Sequence, residues 1–290
     1  HPLAARAGSR LAGLGQPLSP HDRLARAETM SKARGWDDAL AELALLGEEL
    51  PLELRTLKDF WTGETLFKMR RQYARAGELL VGVHARMGSK AAQALFHGAR
   101  AFSRADRDDE AIRLYVEVVR KYPRSDFAAE AQFLSGWLEA NRGAFRAAVA
   151  PLERLLTRYP KSKFADDALW YLGYAHFLLG EHAAALPYLD RLARLGGALE
   201  GGKARYWRAR TLATLGRHDE AVRELTKLVG DYPFSWYSQL ARARLREGGV
   251  VVGPFGDRPR NPATTPRLGP VDPAIAAEEP GVEGVVEHRG

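Results

Sequence analysis

The 290-residue sequence contains no cysteine and no apolar run long enough to cross a membrane. The missing cysteine excludes disulfides, thiolate metal ligands and a cysteine nucleophile. Long β-branched runs are also missing, whereas Ala, Leu and Arg dominate, so the composition predicts an all-α fold. Because 46% of the residues are hydrophobic, the chain can build a sizeable core.

The chain has a small excess of positive charge, with a net charge of +7. This excess favours an anionic partner without naming one. Arg and Lys alternate with acidic residues, as on an ordinary solvated helix face, and no nucleic-acid-binding motif is present. We therefore predict that nucleic acid is not a partner.

A pair of small residues recurs along the chain, one on each helix of a predicted hairpin. In Phe164–Leu195 the pair is Gly173 and Ala185, where two helix backbones must approach closely, and Gly180 between them can end the first helix with a positive φ. The second residues of successive pairs are 35 to 37 positions apart. The other pairs are Ala27/Ala39, Gly63/Ala76, Ala99/Ala111, Gly136/Ala148 and Ala209/Ala221.

This period resembles that of the tetratricopeptide (TPR) repeat. The resemblance implies an all-α fold, a TPR-like α-α superhelix (solenoid) of about six helical hairpins. Three links between hairpins read Tyr-Pro-x-Ser, at Tyr122–Ser125, Tyr159–Ser162 and Tyr232–Ser235. An aromatic residue follows each link, and we predict that it wedges between hairpins; the three residues are Phe127, Phe164 and Trp236.

Three domains are predicted from these boundaries. Residues 1–19 lack a helical period and form a flexible N-terminal tail, and residues 20–249 form the TPR-like domain. Residues 250–290 are rich in Pro and Gly and form a disordered or extended linker toward a C-terminal domain outside this chain. The Gly-rich stretch Gly196–Lys203 is the predicted flexible point of the array. No signal peptide is recognisable.

No catalytic or cofactor-binding constellation is recognisable in the sequence. The eight histidines lack metal-ligand spacing, and nucleophile-elbow, Walker and dinucleotide-binding motifs are absent. We therefore predict no catalytic residue, no metal and no cofactor. His97 and His176 are interpreted as helix-face residues whose ring N–H has a partner.

One row of side chains on the first helices suggests a binding surface. Five of the six residues that precede the first small residue by three positions are aromatic, and further rings or Arg residues follow one turn later. The row is either inter-repeat core or a groove in which rings stack on a ligand and Arg pairs with carboxylates. Under the second alternative the groove residues are Phe96, Arg100, Phe133, Trp137, Trp170, Tyr174, Tyr206 and Arg210.

The end of the array, YPFSWYSQLARARL at Tyr232–Leu245, resembles the end of the superhelical domain of bacterial soluble lytic transglycosylases. The resemblance spans roughly Leu54–Arg246. It implies a periplasmic enzyme that cleaves the peptidoglycan bond between N-acetylmuramic acid and N-acetylglucosamine through one Glu in a lysozyme-like domain. The Glu-Ser and Gly-Leu-Met-Gln motifs of that domain do not occur here.

Two functions therefore remain open at the level of sequence. The first is the non-catalytic scaffold of a lytic transglycosylase in the periplasm or cell envelope, positioning peptidoglycan strands for a catalytic domain outside this chain. The alternative is a TPR-type adaptor of the bacterial cell envelope that binds an extended segment of an envelope protein. The predicted partner is accordingly peptidoglycan or an envelope protein segment.

Overall fold

A computed structural model describes residues 18–195 and 202–253. The predicted N-terminal tail, the predicted flexible link and the predicted C-terminal linker lie almost entirely outside these ranges. In the two ranges the chain forms α-helices, two 3₁₀ turns and no strand, which confirms the all-α prediction. The helices are α1 (Pro20–Lys32), α2 (Trp36–Ala44), α3 (Leu52–Lys68), α4 (Tyr73–Val83), α5 (Ala91–Arg104), α6 (Asp108–Lys121), α7 (Ala128–Asn141), α8 (Phe145–Arg158), α9 (Ala165–Leu178), α10 (His182–Arg194), α11 (Lys203–Thr214), α12 (His218–Asp231) and α13 (Trp236–Glu247).

The chain divides into two compact units, His1–Ser135 and Gly136–Gly290. Within each unit, an odd-numbered helix is followed by an even-numbered partner to give the helical hairpins that the repeat predicts; α7 spans the boundary between the units, and α13 is the last helix described. The hairpins bury Leu and Ala from both helices, since neither amphipathic helix can cover its apolar face alone. Fully or almost fully buried members include Leu43, Leu80 and Leu95 in unit 1 and Leu152, Leu172 and Leu189 in unit 2.

Each hairpin turn contains a residue in the left-handed region. Gly180 has a φ of 74°, as the sequence predicts, and Gly143 and Gly216 have equivalent values. The three hairpins of the N-terminal half use non-glycine residues at this place, Arg34, Arg70 and Asp106. The turn after α3 is one residue longer than the others, and Gln72 supplies a second left-handed residue there. This extra residue explains why Gly63 and Ala76 are one position further apart than the other pairs.

The small residues allow close packing of the two helices in a hairpin. A Cβ added to Gly63 would lie 2.7 Å from Leu80 Cγ and 3.2 Å from the Ala76 carbonyl oxygen. In unit 2, a Cβ on Gly173 would lie 2.7 Å from Leu189 Cγ, one turn after the predicted contact at Ala185. The helix that faces each glycine therefore occupies the space in which a side chain would begin.

Gly63→Ala is expected to lower the free energy of unfolding by about 1–3 kcal/mol, because the overpacking at Leu80 outweighs the better helix propensity of Ala. Gly82→Ala is the matched control, since Gly82 lies in α4 of the same unit with nothing within 4 Å of its added Cβ. The control should be neutral or stabilising. Urea denaturation of both variants checks the prediction, and equal effects would contradict the close approach.

The three Tyr-Pro-x-Ser links adopt one geometry. In each link the Ser amide donates to the Tyr carbonyl, at 3.0, 2.9 and 3.0 Å. The prediction for the following aromatic residue is wrong in the last link, where Tyr237 packs on Tyr206 with ring centroids 5.6 Å apart. Trp236 is instead 57% exposed. The packing position is four residues after the Pro, as it is for Phe127, whose ring lies 5.1 Å from Phe96 in unit 1.

Candidate functional site

The strongest candidate site lies in unit 2 on two first helices, α9 and α11. Each helix places three large side chains at positions i, i+4 and i+7, which share one helix face. We call this group the α9–α11 cluster; it consists of Trp170, Tyr174 and Phe177 on α9 and Lys203, Trp207 and Arg210 on α11.

The rings of the cluster pack edge to face and in a stack. Trp170 stacks on Tyr174 with centroids 5.2 Å apart and an interplanar angle of 17°. Trp207 makes edge-to-face contacts with Tyr174 and Phe177, with ring centroids 4.8 and 5.0 Å apart. Trp170, Trp207 and Phe177 are buried, whereas Tyr174 is partly exposed. The cluster therefore combines a packed base with one accessible ring.

Two cations lie over these rings. Lys203 Nζ is 3.8 Å from the centroid of Trp170. The Arg210 guanidinium carbon lies 4.7 Å from the centroid of Trp207 and 5.2 Å from that of Phe177. Such cation–π contacts hold positive charge at an aromatic surface without neutralising it. The cluster is thus apolar and positively charged at the same place.

Burial perturbs the titration of the basic groups in this region. Desolvation lowers the pKa of Lys203 to about 8, and the carboxylate of Asp167 opposes this shift only in part. The pKa of His182 is also lowered, first by burial and then by the positive charge of Arg210. Both shifts have the sign expected where a cation is removed from water without a matching anion.

The predicted groove residues of unit 2 fall into two groups. Tyr206 is fully buried and packs against Tyr237 and Trp207. Trp170 and Arg210 are also buried, but within the α9–α11 cluster. Trp137 is partly exposed, and its Nε1 donates a 2.9 Å hydrogen bond to Tyr171 Oη. The exposed ring surface of the predicted row in this unit is therefore that of Tyr174 and Trp137.

The predicted groove residues of unit 1 are mostly core. Phe96 and Phe133 are buried, so they are packing residues and are not exposed to a ligand in this structure. Arg100 is partly exposed, forms a 3.5 Å ion pair with Glu130 and lies over the Phe96 and Phe67 rings. Burying the large apolar area of an aromatic ring stabilises the fold, and these rings are used for packing. The groove prediction for Phe96, Phe133 and Tyr206 is therefore corrected: they are core residues.

Sequence reasoning missed Lys203, Trp207 and Phe177. Their signal was present, because Lys203, Trp207 and Arg210 repeat the spacing of Trp170, Tyr174 and Phe177. The contact between the two rows depends on how neighbouring hairpins pack, which spacing within one helix does not determine.

A second polar cluster lies inside unit 1. The Glu64 side chain is fully buried; its Oε1 accepts a 2.5 Å hydrogen bond from His97 Nδ1, and its Oε2 lies 3.6 Å from Lys68 Nζ. The His97 ring stacks on Phe67 at 5.2 Å. The His176 ring likewise pairs with Glu181, at 2.7 Å, which confirms that both histidines have ring partners. The contact with His97 engages Glu64 Oε1, whereas Glu64 Oε2 is buried without a hydrogen-bond partner among the described residues and has only the Lys68 ammonium group nearby.

A charged groove of about 420 Å³ lies between α10, α11 and α12 in unit 2. Two of its arginines are paired: Arg208 contacts Asp190 at 2.5 Å and Glu224 at 3.1 Å, and Arg205 contacts Asp231. An anionic ligand would have to displace these carboxylates. The groove is therefore a weaker candidate than the α9–α11 cluster.

The last Tyr-Pro link differs from the two internal links on its surface. The internal links carry charged residues one and three positions after the Pro, at Arg124 and Asp126 and again at Lys161 and Lys163. The last link carries Phe234 and Trp236 at these positions, and they are 88% and 57% exposed. The two internal links adopt the same geometry with charged residues at these positions, so the two exposed rings are not needed for the link geometry.

Across the described ranges, no group of three His, Cys, Asp or Glu side chains is arranged to hold a metal ion. None of the helices in those ranges is both long and apolar enough to span a membrane.

Comparisons with known proteins agree with the repeat architecture. A tetratricopeptide-repeat family model matches residues 96–163 and 161–200, and a second one matches residues 203–235. The fold is similar to that of MamA from strain AMB-1, with a TM-score of 0.50 and 20% identity over 65% of this chain and 98% of that one. It is also similar to PilF of Pseudomonas aeruginosa, with a TM-score of 0.50 and 16% identity over 77% of this chain and 96% of that one. No curated protein matches the sequence significantly.

Residues 96–235 thus carry tetratricopeptide repeats, and the described helices form a TPR-like array. TPR proteins bind protein partners, so the chain has the architecture of a protein-interaction scaffold. These findings favour the adaptor alternative over the transglycosylase scaffold, for which the comparisons give no support.

Proposed function

We propose that the chain is a TPR-type adaptor that binds an extended segment of a partner protein on the first-helix face of unit 2. The observation that carries the proposal is the α9–α11 cluster, in which a partly exposed ring lies on a buried aromatic base with two cations. Aromatic and Arg side chains on a rigid base are the residue types that dominate binding energy at protein interfaces.

The packing of the cluster suits it to binding without large rearrangement. Tyr174 stacks on Trp170 and makes an edge-to-face contact with Trp207, so the Tyr174 ring is fixed before a partner arrives. A preorganised ring loses little conformational entropy on binding. Trp137, fixed by its hydrogen bond to Tyr171, offers a second anchored ring in the same unit.

Selection from a displayed random peptide library, with the intact chain as bait, tests the proposal. Tyr174→Ser is expected to weaken the tightest selected peptide by about tenfold or more in calorimetric titration. Tyr188→Ser is the matched control, because Tyr188 is also partly exposed but lies on the second helix α10.

The control should change the affinity by less than about twofold, as expected away from a hot spot. Circular dichroism of both variants verifies that they fold. Equal weakening by the two changes, or failure to select any peptide above the background of an unrelated helical protein, would contradict the adaptor function.

The second candidate function is the helical scaffold of a cell-wall lytic transglycosylase. Its support is the resemblance at Tyr232–Leu245 together with the exposure of Phe234 and Trp236 in that same segment. Under either candidate we place the protein in the bacterial cell envelope, and this location is part of the proposal. Retention of the chain on purified peptidoglycan sacculi at low salt would favour the scaffold, and absence of retention would count against it.

A further inference from the structure

Two hydrogen-bond donors in the α9–α11 cluster have no acceptor. No carboxylate of the described residues pairs directly with Lys203 Nζ; its neighbours are the Trp170 ring and, at longer range, Asp167. The indole Nε1 of Trp170 is buried without a hydrogen-bond partner, in a side chain whose exposure is only 2%. An indole N–H and an ammonium group only donate, so a ligand that satisfies both must supply acceptor atoms.

Two other cations of the same helix are arranged differently from Lys203. Arg205 and Arg208 also belong to α11, and both form ion pairs with carboxylates of neighbouring helices. Lys203 is held over an aromatic face instead. Lys203 is partly exposed, so this residue is not sealed from solvent.

The electrostatics around Lys203 favour an anion. Arg210 lies two turns further along the same face of α11, and its charge contributes to lowering the pKa of His182. Among the residues that the structure describes, Asp167 is the one carboxylate that opposes the lowered pKa of Lys203. A buried cation with too little negative charge nearby gains from any carboxylate that joins it.

We propose that Lys203 and Trp170 form a carboxylate-binding subsite within the partner-binding face, which takes an acidic side chain or the C-terminal carboxylate of a bound peptide. This subsite rests on the proposed adaptor function. The ammonium group pairs with the carboxylate, the neighbouring indole N–H offers a second donor, and Tyr174 contacts the adjoining residue of the peptide. Charge-assisted hydrogen bonds of this kind are stronger than neutral ones.

The test uses the tightest peptide selected by display against the wild-type chain. One synthetic derivative has every Asp and Glu replaced by Asn and Gln, and another has an amidated C-terminus. We expect one of the two derivatives to bind about tenfold more weakly than the parent peptide, and which one it is identifies the source of the carboxylate.

Lys203→Met removes the charge and keeps most of the apolar stem over Trp170. In this variant the parent and the weakened derivative are expected to bind equally. Lys227→Met, at an exposed lysine of α12, is the matched control and should keep the difference. The midpoint of thermal unfolding should not fall in Lys203→Met, because the variant removes a partly buried charge that no carboxylate of the described residues pairs with directly.

The subsite also has a pH signature. A bound carboxylate raises the pKa of Lys203 above its free value of about 8, so binding takes up a proton near pH 8. The affinity should fall by about tenfold between pH 7 and pH 9 for the wild type and stay level for Lys203→Met. Burial and the charge of Arg210 lower the pKa of His182 from its ordinary value, so the imidazole titrates below this pH range.

The outcomes separate the two proposals. If no peptide is selected, the adaptor function and the subsite both fail. If peptides are selected but both derivatives bind as tightly as the parent, or if Lys203→Met keeps the difference between them, the subsite alone is overturned.

Discussion

His97→Phe is expected to lower the free energy of unfolding by about 3 kcal/mol, because it removes the hydrogen-bond donor of a fully buried carboxylate. Phe keeps the ring that stacks on Phe67, so the loss of the nitrogen is the main change. Glu64 then retains only Lys68, whose Nζ is 3.6 Å from Oε2 and is partly exposed. Urea denaturation measures the effect.

The double variant Glu64→Met/His97→Phe separates the polar contact from packing. An apolar pair of similar volume in place of a buried polar pair is often neutral, so the double variant should lie within about 1 kcal/mol of the wild type. We therefore expect that adding Glu64→Met to His97→Phe restores stability, although both substitutions are in the core. A double variant that is less stable than His97→Phe would show that the volume of the site, and not the unpaired carboxylate, determines the loss.

Trp170→Ala is expected to lower the free energy of unfolding by about 3–5 kcal/mol, since it creates a large cavity among Tyr174, Trp207 and Lys203. Trp170 is only 2% exposed, so the substitution removes an almost completely buried side chain from the core. Thermal and urea unfolding of unit 2 both report this change.

Trp236→Ala is the matched control for this prediction. The two tryptophans belong to the same unit, but Trp236 is 57% exposed and should cost less than about 1 kcal/mol. Comparable losses at the two positions would mean that Trp170 is not part of a packed core. A large effect of Trp236→Ala on partner binding, with unchanged stability, would instead point to the last Tyr-Pro link as an interface.

The repeat could be predicted from sequence because close packing of the two helices in a hairpin requires small residues at fixed positions. Where two helices approach closely, as at Gly63 against Ala76 and Leu80, only small residues fit, and this leaves a periodic record in the chain. The left-handed residues Arg34, Arg70 and Asp106 left no such record. Their conformation is imposed by the geometry of the hairpin turn, and residue type alone does not indicate it.

The last Tyr-Pro link shows why local pattern is insufficient for packing. Trp236 and Tyr237 are adjacent aromatic residues, and both are chemically suited to wedge between hairpins. Tyr237 is the one that packs, because the residue four positions after the Pro is the one whose ring lies against Tyr206. This register becomes visible only when the three links are compared as structures.

The candidate site was predictable only in part. The shared phase of Trp170, Tyr174 and Arg210 placed them in one row, and the structure brings them into one cluster. The role of Lys203 depends on desolvation and on its position over Trp170, both of which arise from packing between hairpins. Such environments are properties of the fold, so no pattern within one helix reveals them.

Mapping of the bound peptide by ¹H–¹⁵N correlation spectroscopy tests the central claim most directly. The tightest display-selected peptide is titrated into the intact, isotope-labelled chain, with the Trp170 indole resonance assigned through Trp170→Phe. The account predicts that the largest shift changes fall on the first helices α9 and α11, including the indole N–H of Trp170 and the amides around Tyr174. Changes confined to the second helices α10 and α12, or to Phe234 and Trp236, would contradict it.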